Sequence, residues 1–118
     1  MKYLTTLIVL LVLNTDSNFD YKKLIGTWSR KSIANTKDTG VFIFKSDSTA
    51  SFEVRKANTD HLIAGMTGPY SILKSKGILK VTMLGKEKTF KIIKLSQDTL
   101  TFTNVTENKE AQTFVRSK

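Results

Sequence analysis

His61 is the chain's single histidine, and it stands beside Asp60 in a polar stretch between two apolar runs. An imidazole next to a carboxylate is the smallest unit that could serve as a general base. Nothing in the sequence joins it. No carboxylate pair has the logic of a glycosidase, no glycine-rich loop opens a helix, and no His, Asp or Glu cluster has metal-ligand spacing. A lone loop histidine is ordinarily just solvated. The residues therefore predict no catalytic side chain, no metal and no cofactor, and a protein that is not an enzyme. Asn104-Val105-Thr106 fits the glycosylation pattern, which has meaning only in a eukaryotic secretory host.

Cysteine is absent from the sequence. That excludes disulfides, thiol catalysis, zinc–thiolate sites and lipid attachment through an N-terminal Cys, so the protein is not expected to be a lipoprotein. The remaining chemistry is charge. The net charge is +9, and the excess is concentrated in residues 70–97, where Lys74, Lys76, Lys80, Lys86, Lys88, Lys91 and Lys94 face one acid, Glu87. Such a run could attract an anionic envelope surface. It could equally serve solubility and protect strand edges from pairing, which is the commoner use of strand lysines. No stacking aromatics are interleaved with these lysines as single-strand binders require, so no specific nucleic-acid partner is expected.

The elements that must position these groups begin behind a leader. Lys2, the apolar run Leu7 to Leu13, and the small or polar residues Asn14 to Ser17 read as a signal peptide over residues 1–17. The run is too short for a membrane span. The mature chain, residues 18–118, is thus expected to be a single exported domain, periplasmic or secreted, with no transmembrane segment. Its size is adequate for a core without staples.

Eight strand-like runs follow a short entry segment that contains Phe19 and Tyr21: Ile25–Ile33, Val41–Lys45, Thr49–Lys56, Tyr70–Leu73, Ile78–Leu84, Lys88–Leu95, Thr99–Thr106 and Glu110–Arg116. Phe52 and Val54 alternate with Ser51, Glu53 and Arg55, the period of a half-buried strand. The sixth run breaks its own alternation: Phe90 and Ile92 share one parity, Ile93 and Leu95 the other. A bulge near Ile92–Ile93 would keep Lys91 and Lys94 outside and return Leu95 to the core. No helix long enough to cover a sheet is evident. The pattern predicts an all-β fold, an eight-stranded antiparallel up-and-down meander, closed into a small barrel because closure removes both edges.

A meander sends its links alternately to the two ends. The two longest, Ala34–Gly40 and Ala57–Thr67, fall at the same end, so a site is expected there. Within the second, Asp60 to Ala64 could form one helical turn stopped by Gly65. Its apolar residues Leu62, Ile63 and Met66 could form a lid over the mouth or a permanent plug, and the residues do not choose between these. The inward positions are nearly all large and apolar, which favours a small hydrophobic ligand or a filled interior. The candidate ligand-binding set is Phe42, Phe52, Leu62, Ile63, Met66, Tyr70, Met83, Phe90 and Phe102. Tyr70 is the best polar handle, though its hydroxyl could equally satisfy a backbone carbonyl.

Leu24-Ile25-Gly26-Thr27-Trp28 resembles the first conserved block of the lipocalins and their calycin relatives. The order of Phe42-x-Phe44-x-x-Asp47, Gly68-x-Tyr70-x-Ile72, Ile92-Ile93-Lys94-Leu95-Ser96-x-Asp98-x-Leu100 and Phe114-x-Arg116 is similar to the short bacterial lipocalin-like domains of exported Bacteroidetes proteins. The resemblance covers about residues 19–117. It implies a lipocalin-like barrel that binds a small hydrophobic molecule at the long-loop end. It also implies a structural pair at the closed end, with Arg116 lying across the ring of Trp28. The alternative is a solid barrel that meets a protein or the anionic envelope through its lysine-rich face.

Overall fold

In the computed structural model, residues 19–31, 37–57, 59, 61–107 and 109–117 are described. The expected leader, residues 1–17, lies outside them. A 3-10 turn at Tyr21–Leu24, capped by the Asp20 carboxylate on the Lys22 N–H at 3.3 Å, leads into the first strand. The strands are β1 (Gly26–Lys31), β2 (Thr39–Phe44), β3 (Thr49–Arg55), β4 (Leu62–Leu73), β5 (Ile78–Met83), β6 (Lys86–Leu95), β7 (Thr99–Asn104) and β8 (Gln112–Arg116). They form a closed antiparallel barrel in chain order, sealed where β1 pairs with β8 through Trp28 opposite Arg116 and Ser29 opposite Val115. The expected up-and-down meander and its closure are both present.

Alternation sets the core. The inward row of β2 is Phe42 and Phe44, which pair across to Trp28 on β1 and to Phe52 and Ala50 on β3. With Leu24, Leu79, Val81, Phe90, Ile92, Leu100, Phe102 and Phe114 they make one cluster. Phe42 is its hub. Its ring centroid lies 4.8 Å from that of Phe52, 5.6 Å from that of Phe114 and 6.2 Å from that of Phe90, mostly in the tilted or edge-on geometries that aromatic rings prefer.

Two irregularities matter. On β6 the register shifts between Ile92 and Lys94, so Ile93 is extruded and half-exposed while Ile92 is buried. Lys91 and Lys94 stay outside and Leu95 packs on the core, as the broken alternation predicts. The second is a correction. The segment read as a loop with one helical turn, Ala57–Thr67, is mostly strand: β4 starts at Leu62 and pairs with β3 from Leu62 opposite Arg55 to Pro69 opposite Thr49. Asp60, the start of the expected turn, lies outside the described residues; Leu62 to Ala64 are extended.

The breakers Gly65, Gly68 and Pro69 are accommodated inside that strand for physical reasons. The Tyr70 N–H donates to the Ser48 carbonyl at 2.9 Å on the β3 side, so the ring nitrogen of Pro69 faces β5. Pairing with β5 begins only at Tyr70 opposite Val81, and the missing donor costs no ladder bond. At Gly68 the β5 backbone comes so close that a Cβ would overlap the Thr82 carbonyl oxygen. Only glycine fits there.

Candidate functional site

The two ends of the barrel differ. At one end the links are the turns at residues 45–48, 74–77 and 96–98, and the entry segment folds beneath them. Trp28 is fully buried there, and its indole N–H donates to the Leu24 carbonyl at 2.9 Å. The Arg116 guanidinium carbon sits 4.3 Å from the centre of the ring. The same guanidinium donates to the carbonyls of Ile25 (3.0 Å), Gln97 (2.5 Å) and Lys23. One cation thus ties the entry segment, β8 and the β6–β7 turn together, and four hydrogen bonds plus a cation–π contact seal the end. Gly26, at φ 141°, is what lets this happen: a Cβ there would strike the Arg116 Nη1.

At the other end, where β1 leads to β2, β3 to β4, β5 to β6 and β7 to β8, lies a cavity of about 620 Å³. Its floor and lower walls are apolar: Phe42, Phe52, Val54, Met66, Val81, Met83, Phe90 and Phe114. Its upper wall is polar, with Arg30, Lys86, Lys88, Asn104, Glu107, Lys109 and Gln112. The size falls in the range of small-molecule sites, roughly 300–1,000 Å³.

Strand alternation produces this layering. Four inward rows are apolar toward the closed end and become polar toward the mouth: Trp28 then Arg30 on β1, Phe90 then Lys88 and Lys86 on β6, Phe102 then Asn104 on β7, Phe114 then Gln112 on β8. The β7–β8 link is held by its own network. Asn104, buried, donates from its amide to the Glu107 carboxylate at 3.1 Å and accepts from the Glu107 N–H at 3.0 Å. Lys109 and Lys88 pair with that carboxylate at 2.8 and 3.1 Å. The hydrogen bond from Lys109, then the bond and charge of Lys88, hold the Glu107 carboxyl below its ordinary value. In the folded barrel the Asn104 amide of the glycosylation pattern at 104–106 is buried and hydrogen-bonded.

The chain matches no family model and no curated protein. Among solved structures it is similar to a protein from Bacteroides uniformis ATCC 8492 determined by NMR. The identity is 13%, the TM-score 0.65, and the match covers 88% of this chain and 97% of that one. At that identity the likeness concerns the barrel alone.

The residues singled out in the sequence divide. Phe42, Phe52, Met66, Met83 and Phe90 line the cavity. Leu62 and Ile63 do not: they are 50% and 52% exposed on the overhanging start of β4, and they form neither lid nor plug. Phe102 is buried below the floor, where its ring packs on those of Phe90 and Phe114. Tyr70 lies toward the closed end, its ring edge-on to Phe44 and its hydroxyl donating to the Lys45 carbonyl at 2.7 Å, so it is not a handle in the cavity. Burial and the Asp47 charge push its phenol above the ordinary value. His61 lies in the β3–β4 link with its backbone bonded to Lys56 and Thr59, away from the cavity lining. No group of three or more metal-ligating acids or histidines occurs among the described residues.

The lysine run also divides. Lys86 and Lys88 share the inward parity of Phe90 and line the mouth, Lys74 and Lys76 lie in the closed-end turn, and Lys91 and Lys94 project outward. Arg30, Lys86, Lys88, Lys109, Asn104 and Gln112 were not in the sequence-based set. The signal was available, since each but Lys109 falls on the parity of a core residue two or four positions away.

Proposed function

We propose that the protein is a non-enzymatic, exported lipocalin-like barrel that holds a small hydrophobic molecule in the cavity at its open end. The observation that carries this reading is the cavity itself, about 620 Å³ in volume, whose lower part is an apolar well above a packed phenylalanine floor. Water in such a well makes few hydrogen bonds, so replacing it with hydrocarbon is favourable by about 25 cal/mol per Å² buried. The arginine-over-tryptophan seal at the opposite end supports the lipocalin-like assignment, and the leader pattern over residues 1–17 supports export.

The test is titration with a neutral fluorescent probe, N-phenyl-1-naphthylamine, of the protein and of a Val54→Trp variant that fills the cavity. Saturable binding by the first and its loss in the folded second is the expected result. No saturable binding, or binding untouched by the filled cavity, overturns the reading.

A further inference from the structure

The structure points to a narrower ligand class, and this inference rests on the cavity reading above: we propose an amphiphile with one hydrocarbon chain and an anionic head, held chain-down with the head at the mouth. The floor sets the first half of that description. Among the described lining residues no polar side chain lies at the depth of Phe42, Phe52 and Phe114, so a polar head inserted there would lose its water without compensation.

The mouth sets the second half. Among the described residues, four cations, Arg30, Lys86, Lys88 and Lys109, line it against a single carboxylate, Glu107. That carboxylate is shared by Lys88 and Lys109. Arg30 and Lys86 have no ion-pair partner among the described residues. Arg30 is also half-buried, on the inward row directly above Trp28. A partly desolvated guanidinium without a counter-ion is costly unless something supplies the charge, and its planar donor fork suits a carboxylate or phosphate. Low-dielectric walls beneath it concentrate the positive potential at the opening. A cationic head would meet repulsion there, and a neutral one would gain nothing from it.

Carboxylate and phosphate heads share this chemistry, and competition distinguishes them. The experiment uses dodecanoate, dodecyl phosphate, dodecanol and dodecyltrimethylammonium, each at monomeric concentration, displacing N-phenyl-1-naphthylamine at low and high salt. At low salt at least one of the two anions should bind about tenfold tighter than dodecanol, as a single charge-assisted contact at a half-exposed site allows, and the ammonium should bind weakest. High salt should shrink the gap. In R30Q/K86Q the preferred anion should fall to the level of dodecanol, with dodecanol itself unchanged. Equal affinities for dodecanol and both anions, or an R30Q/K86Q variant that weakens all ligands alike, would overturn the head-group assignment while leaving the hydrophobic cavity intact. Failure of the neutral probe and of every twelve-carbon compound to bind would overturn both.

Discussion

Replacing Trp28 by Ala probes the closed end most directly. The side chain is fully buried, so its removal leaves a void the neighbouring strands cannot collapse into, which for a large aromatic costs about 3–5 kcal/mol. The Leu24 carbonyl loses its indole donor, about 1 kcal/mol. Arg116 loses the ring beneath it but keeps its three carbonyl acceptors, so that part is small, about 0.5–1 kcal/mol. These contributions overlap because one void underlies all of them, and the net expectation is about 4–5 kcal/mol. Against a total of roughly 5–15 kcal/mol for a domain, that brings the variant close to half-unfolded at the lower bound. Trp28 is the sole tryptophan, so tryptophan fluorescence reports only the parent. Urea unfolding followed by far-ultraviolet circular dichroism serves both chains, with similar slopes expected and a much lower midpoint for the variant. Trp28→Phe, which keeps a ring and gives up the N–H, should fall between. A loss below about 1 kcal/mol for the alanine variant would refute the reasoning, since that is the scale of an ordinary surface change.

Gly26→Ala should destabilise by about 1–3 kcal/mol, because the new Cβ meets both a disfavoured φ and the Arg116 guanidinium. Combined with Arg116→Ala it should cost less than the sum of the two, and additivity in that double-mutant cycle would contradict the contact. Gly68→Ala forces β4 off the β5 backbone, and about 2–3 kcal/mol is expected, read as a lowered urea midpoint. Neutrality there would mean the strands are not so close. Glu107 gives a pH dependence. Its folded-state value is depressed, so its ionic contacts stabilise the protein above the ordinary glutamate range and are lost as pH falls through the depressed value. The difference in urea midpoint between the parent and Glu107→Gln should therefore shrink in acid, and a difference constant with pH would sink the assignment.

Most of the barrel is legible in the sequence because period-two patterning and turn residues agree. The bulge at Ile93 shows as a break in parity, and the inward rows of β5, β7 and β8 can be written down from the residues. β4 is the exception. Gly65, Gly68 and Pro69 are local punctuation, and Leu62-Ile63 lacks alternation, yet the β3 ladder needs a partner along its whole length and recruits the segment. No local signal carries that demand. The mouth was missed for a different reason. The sequence leads one to expect a nearly all-apolar interior, whereas at the top of a short barrel the inward row reaches water and Arg30, Lys86 and Lys88 follow parity. The Asn104–Glu107 network depends on how one turn closes and leaves no periodic trace.

The stagger between β4 and β5 makes the rim uneven. β4 pairs with β5 only from Tyr70 to Leu73, and the β5–β6 hairpin ends in a tight turn at Leu84 and Gly85, both at positive φ (53° and 74°). Continuing that register, residues 62–66 stand clear above the hairpin tip like one high side of a jug. The low side is the spout, flanked by Met83, by Leu84 at 81% exposure and by Lys86. In the β4–β5 register that lip is lower than the facing start of β4. Under the cavity reading proposed above, a molecule entering over that lip would meet only a two-residue turn, far from the Arg116–Trp28 seal at the opposite pole.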